Sequence, residues 1–209
     1  MRSVRSFLAA LAVIGLAAHF APVASAAPTP LVIADAKGDA LDARASMDLV
    51  SVKLESKNFK PKDTPSLVVT FELAGPLDKS TATAINYNLD AQIPGCGYIE
   101  FTYAPGTVLE GGPGVGAYSN ISTSCGGPPS STGDGTYLGL DAKVELVGNS
   151  IVMWTSWASL TKEIRAANTL TEISASTQNA EPLTGIIGLG LFGPGATDTA
   201  ATDKPWKYA

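Results

Sequence analysis

Asp48-Leu49-Val50-Ser51-Val52-Lys53-Leu54-Glu55 decides the fold class. Val50, Val52 and Leu54 alternate with Ser51, Lys53 and Glu55, a period of two that gives a β-strand one buried and one wet face. A helix would instead repeat its apolar residues three and four apart. Leu67, Val69, Phe71 and Leu73 repeat the alternation within Ser66 to Ala74. Ile85, Tyr87 and Leu89 do so opposite Asn86, Asn88 and Asp90. In 97–104, Ile99, Phe101 and Tyr103 alternate with Tyr98, Glu100 and Thr102. Further strands are expected at Tyr137 to Asp141, Lys143 to Val147, Ile151 to Trp157 and Leu170 to Thr177.

Gly148-Asn149 separates two of these runs, and both residues tolerate positive φ, which predicts a tight hairpin. The one helical signal is 159–167, where Leu160 and Ile164 are four apart among Lys162, Glu163 and Arg165. So many short strands without alternating long helices predict an all-β chain folded as an antiparallel β-sandwich.

The N-terminus reads differently. Arg2 and Arg5 precede an apolar run from Phe7 to Ala18 and a small-residue site at Ala24-Ser25-Ala26, the layout of a secretory signal peptide covering 1–26. The run is shorter than the roughly 20 residues of a spanning helix. Leu183 to Phe192 is also short and dense in Gly, so no membrane span is expected. Cleavage would leave 27–209 as one domain in the secreted, extracellular chain. Its formal charge would move from −5 to −7 as Arg2 and Arg5 leave. With so few, scattered cations, nucleic acid is not an expected partner.

Cleavage also removes His19, the only histidine. A Ser-His-Asp triad, a Cys-His pair and an imidazole metal site go with it. Cys96 and Cys125, in a chain bound for an oxidising compartment, are expected to form a disulfide. That bond would tie down a Gly/Pro-rich region, 104–135, which holds 9 of the 21 Gly and is expected to be mostly loop. It would protect the segment from proteolysis or hold Tyr103, Tyr118 and Tyr137 as a recognition surface. Asn120-Ile121-Ser122 is a glycosylation sequon, relevant only in a eukaryotic secretory route.

Asp35, Asp39, Asp42 and Asp48 place four carboxylates within 14 residues, around Gly38. Calcium takes six to eight oxygen ligands, so this composition suits a calcium site, although its spacing is not that of an EF-hand. The same residues suit turn caps that accept from nearby backbone N–H groups. Asp198 and Asp203 form a second acidic pair, able to approach the first group if the first and last strands are neighbours.

The order Asp35-x-x-Gly38-Asp39, then Asp48-Leu49-Val50, then Leu67-Val68-Val69-Thr70-Phe71, then Asp198-Thr199-Ala200 resembles exported bacterial β-sandwiches of the DOMON and family-9 carbohydrate-binding-module group. The resemblance extends over nearly all of the mature chain. It implies a jelly-roll-like sandwich that binds sugars or haem, or serves in the cell envelope, with calcium ligation carried onto Asp35, Asp39 and Asp48. Haem would need Met47 or Met153 as axial ligands, since the mature chain has no histidine.

Sugar binding asks for exposed rings that stack on pyranose faces, with polar groups nearby to read hydroxyls. Tyr98, Tyr118, Trp154, Trp157 and Trp206 are the candidates. In an ideal strand Trp154 and Trp157 point to opposite faces, so at most one joins the core. For catalysis only a carboxylate pair remains, with Glu100 and Glu145 as strand-borne candidates for a glycoside hydrolase. Both fall on polar faces, so no enzyme activity is expected. The reading is a non-catalytic binding domain, with polysaccharide or cell-envelope glycan as partner. The alternative is a structural or cell-surface sandwich without a small ligand.

Overall fold

The computed structural model describes residues 28–40, 44–60, 64–77, 85–105, 118–126, 138–179 and 197–208. The expected leader, Asp42 and Tyr137 lie outside them, as does the side chain of Tyr118. The first strands are β1 (Leu31–Ala34), β2 (Leu49–Phe59), β3 (Thr64–Leu73) and β4 (Ile85–Ile93). Next come β5 (Gly97–Ala104), β6 (Tyr118–Thr123), β7 (Leu138–Leu140), β8 (Lys143–Val147) and β9 (Ser150–Ser156). A 3-10 turn (Trp157–Ser159) and the helix α1 (Lys162–Ala167) then lead into β10 (Thr169–Asn179), β11 (Thr197–Thr202) and β12 (Trp206–Lys207).

The strands form two antiparallel sheets, as an all-β sandwich requires. The first has the order β1-β2-β3-β9-β8; the second runs β11-β10-β4-β5-β6-β7, with β12 paired to β10. Alternation explains the layering. Val52, Leu54, Val69 and Phe71 of the first sheet share one buried cluster with Tyr87, Leu89, Phe101 and Ile173 of the second. Each large apolar side chain so buried contributes roughly 1.5–3 kcal/mol, and a one-residue slip would turn a whole strand's set outward.

Gly97–Ala104 and Lys143–Val147 lie where the alternation puts them. The hairpin at Gly148-Asn149 also forms, pairing Val147 with Ser150, but only Gly148 uses positive φ, at 60°. The helix α1 is shorter than the expected 159–167. Its N-cap Thr161 accepts from the Ile164 N–H at 3.3 Å, and Asn168 ends it with φ 46°.

The region 104–135 is not mostly loop where it is described. Tyr118–Thr123 is a strand, and Phe101↔Ile121 pairing sends Ile121 into the core. Its neighbours are small and polar, so one large aliphatic residue left no period to read. Cys96 and Cys125 are bonded, with Cα atoms 5.1 Å apart, and so join the β4–β5 turn to the end of β6. The Thr161 hydroxyl donates to the Cys125 carbonyl at 3.2 Å, bringing the start of α1 to the same corner. Among the described residues no helix is long and apolar enough to cross a membrane.

Candidate functional site

An irregularity at the start of β2 builds the site. The β2–β3 register shifts between Leu49 and Ser51, leaving Val50 as an extra residue opposite β3. Bulges of this kind free a backbone group from the ladder and turn the strand. Here Leu49 is fully buried, and its N–H donates to Asp198 Oδ2 of β11 at 2.6 Å. The Val50 carbonyl accepts from the Asp35 N–H at 2.9 Å, fastening the end of β1 beside it.

The turn before β2 spans both sheets. The Ser46 carbonyl accepts from the Tyr87 hydroxyl of β4 at 2.7 Å, and the Met47 carbonyl accepts from the Thr177 hydroxyl of β10 at 2.6 Å. Thr177 is the register partner of Asp198. The chain is therefore pinned where the β1–β2 edge of one sheet meets the β10–β11 edge of the other.

At that edge carboxylate oxygens of Asp35, Asp39 and Asp198 all lie within 4.8 Å of one another. Two oxygens that each sit about 2.4 Å from one calcium ion are at most about 4.8 Å apart, so the spacing fits a shared ion. Asp39 is exposed, Asp35 half-buried and Asp198 buried. Asp198 Oδ1 accepts from the Thr199 N–H at 2.9 Å and Asp35 Oδ1 from the Ala36 N–H at 3.0 Å. Burial pushes the Asp198 carboxyl above its ordinary range. The Asp35 and Asp39 charges add to that, against the two N–H donors from Leu49 and Thr199.

Among the described residues three buried side-chain polar atoms have no hydrogen-bond partner: Asp35 Oδ2, Asp48 Oδ1 and Thr155 Oγ1. Two of the three belong to this acidic group. Asp48 is 6% exposed, and its other oxygen accepts from the Gly38 N–H at 2.8 Å, between Asp35 and Asp39 in sequence. Leaving a buried acceptor unmet costs about 1–3 kcal/mol, and more when it is charged. None of the ion pairs among the described residues reaches Asp35, Asp39, Asp48 or Asp198. An all-oxygen donor set with spare lone pairs and no ion pair to a basic side chain among the described residues suits a hard cation such as calcium.

The structure thus brings two of the expected ligands, Asp35 and Asp39, together with Asp198. Asp48 instead holds the loop that carries them, and Asp203 is exposed and outside the cluster. Asp198 had no local signal beyond one acidic partner; its place depends on an edge strand, β11, whose small residues show no apolar alternation.

The expected aromatic surface is dispersed. Trp206 is 4% exposed, donates to the Thr29 carbonyl at 2.9 Å and packs on Tyr208. Trp154 is 7% exposed yet lies on the outer face of the first sheet, set edge-on to Phe59, with its N–H on the Lys60 carbonyl at 2.9 Å. Trp157, half-buried in the 3-10 turn, packs against the core and Tyr208. Of the two tryptophans only Trp157 meets the core. Tyr98 is half-buried on β5.

Met47 and Met153 are buried in the core cluster. Glu100 and Glu145 belong to different sheets and do not form a carboxylate pair. Glu100 accepts from the hydroxyls of Thr102 and Ser122, each at 3.1 Å, and Glu145 is paired with Lys60. No family model, curated protein or solved structure matches this chain.

Proposed function

We propose that this chain is an exported, non-catalytic β-sandwich of the binding or scaffolding kind, whose two sheets are clasped at one edge by a calcium ion. The observation that carries the reading is the convergence of Asp35, Asp39 and Asp198 within 4.8 Å beside two unpartnered buried carboxylate oxygens. Asp35 and Asp39 end the β1 side, Asp198 belongs to β11, and Asp48 orders the loop between them. A bound cation would balance the negative charge of these groups and join chain segments far apart in sequence. The disulfide and the leader-like N-terminus support export, since an oxidising, calcium-rich exterior suits both crosslinks.

Thermal unfolding in calcium and in chelator tests the clasp. A site formed only in the folded chain raises stability by about 2.7 kcal/mol when free calcium is 100 times its dissociation constant. The expected result is a higher transition in calcium, lost in Asp198→Asn. Identical transitions in calcium and chelator would sink the reading.

A scaffolding role without a small ligand is favoured by one observation. Trp154 and Trp206 are occupied inside the molecule, so stacking on those rings is not open to a sugar. A polysaccharide or cell-envelope glycan remains the proposed partner for the binding role, through groups other than these rings.

A further inference from the structure

The two long sides of the sandwich are finished differently. On one side, where β1 and β11 meet, the acidic group and the bond from Leu49 to Asp198 join the sheets. On the other, β8 ends the first sheet, and among the described residues no strand pairs with its outer edge. The strand that ends the second sheet there, β7, is three residues long.

Half of the β8 backbone points away from its sheet. Val147 and Ser150 flank a two-residue hairpin and form its hydrogen-bonded pair, so Lys143, Glu145 and Val147 bond to β9. The same phase turns Ile151 toward β3, and the Leu73 N–H on the Asn149 carbonyl at 3.1 Å agrees with it. Val144 and Leu146 therefore aim their N–H and C=O groups outward, at the unpaired edge.

The core is incomplete along that edge. Val52, Leu54, Val69, Phe71, Ile151 and Met153 of the first sheet are each at most 1% exposed. Leu140, Ala142, Val144 and Leu146, at alternate positions, pack against the same cluster and are only half-buried. Val147, at the end of β8, is 54% exposed. An edge with free backbone groups and uncovered apolar side chains is a template for another strand.

Charge selects the strand that fits. Two copies of β8 laid antiparallel can centre on Lys143 or Glu145, but like charges then face each other directly, which is destabilising. Centred on Leu146, Glu145 meets Val147 and Lys143 falls opposite the turn at Asn149. Centred on Val144, Lys143 of each copy faces Glu145 of the other in the closely spaced pairs, and Ala142 faces Leu146 on the inner side. Of the registers centred within β8, only this one joins opposite charges and continues the apolar row. In the single chain Lys143 pairs with Asp141 and Glu145 with Lys60 in exposed bridges, which contribute little and can exchange.

We infer that β8 is a self-docking edge: two copies of this chain pair their β8 strands antiparallel about Val144 and run their two five-stranded sheets into one. One short strand per copy buries little area, so the association belongs to the weak class. The inference goes beyond the function proposed above and is independent of the cation, whose site is at the opposite edge.

Sedimentation equilibrium of the protein in calcium buffer, from about 10 μM to about 1 mM, tests it. The average mass is expected to rise with concentration and level off at twice the monomer value, because a two-fold pairing closes on itself. Protection of the Val144 and Leu146 amide hydrogens from exchange should rise with it. Val144→Pro removes only an outward N–H, so it keeps the ladder to β9 and should weaken association at least tenfold. Lys143→Glu and Glu145→Lys each set like charges opposite each other and should also associate at least tenfold more weakly. Mixing those two variants restores both charge pairs and should recover the dimer, with melting curves confirming that every variant is folded. A single mass throughout would leave the edge to a strand of some other protein and overturn the self-pairing. So would growth beyond two copies, a dimer that Val144→Pro keeps, or a charge-variant mixture no tighter than its components. None of those results touches the clasp, which the calcium-dependent melt reads separately.

Discussion

The Leu49 backbone N–H donates to the carboxylate of Asp198 at 2.6 Å, across 149 positions of sequence and from one sheet to the other. It lies beside the β2 irregularity, where Val50 is the extra residue opposite β3, and it brings the last long strand to the acidic loop after the first. One bond therefore couples the fold to the candidate site.

Asp198→Ala leaves the buried Leu49 N–H without an acceptor. It is expected to cost about 1–3 kcal/mol of stability in chelator, measured by urea denaturation. Asp198→Asn keeps an acceptor oxygen, so its cost in chelator should be smaller, while both variants lose the calcium-dependent rise. Equal stability of wild type and Asp198→Ala in chelator would show that the bond contributes nothing.

Asp90 and Glu100 are direct register partners on neighbouring strands. Burial, and then the Glu100 charge, raise the Asp90 carboxyl above its ordinary value. A carboxyl raised in the folded chain favours folding while protonated in both states, below about pH 3.9, and that contribution is lost as pH rises through the folded value. Glu100→Gln should therefore stabilise the protein at pH 7 by about 0.2–1 kcal/mol, the usual scale for cross-strand pairs. The gain should shrink on acidification and vanish near pH 3, as read from melting curves across pH.

Gly97 has φ 143°, and a Cβ there would run into Ser124 Oγ, which accepts from the Tyr98 N–H at 3.0 Å. Gly97→Ala is expected to cost about 1–3 kcal/mol through backbone strain and the displaced serine. Adding Ser124→Ala should recover the steric part alone, a difference that a double-mutant cycle measures.

Cys96 and Cys125 enclose a loop that the chain must close on folding. Replacing both by Ser is expected to lower stability by about 2–5 kcal/mol. Thr161→Ala should add about 0.5–2 kcal/mol in the intact protein, because that hydroxyl both caps α1 and meets the Cys125 carbonyl. Urea melts of the oxidised wild type and each variant give both values.

Much of the sandwich is legible along the chain, since each strong strand carries its own record of which face is buried. Val69 and Phe71, or Leu89 and Phe101, need no partner to show their alternation, because burial on one side of a pleated strand imposes a period of two. The strands that escape are those with too few large residues. In β6 only Ile121 is a large aliphatic, and β11 buries Asp198 and Ala200 where a longer apolar row would have announced it. The tryptophans fail for a related reason: a ring's type does not say whether a hairpin covers it, as the chain around Phe59 and Lys60 covers Trp154.

What local chemistry determined was the all-β class, the hairpin at Gly148, the pairing of the only two cysteines and the acidic character of the loop at Asp35 to Asp39. Which carboxylates meet was decided only in three dimensions. Asp48 is nearer in sequence, but it holds Gly38 with one oxygen and does not join the three grouped carboxylates, whereas the edge-to-edge packing of the sheets delivers Asp198. The reason is physical: alternation is set by neighbours two residues apart, while a shared cation position depends on strand order and on a bulge, and neither leaves a trace in local periodicity.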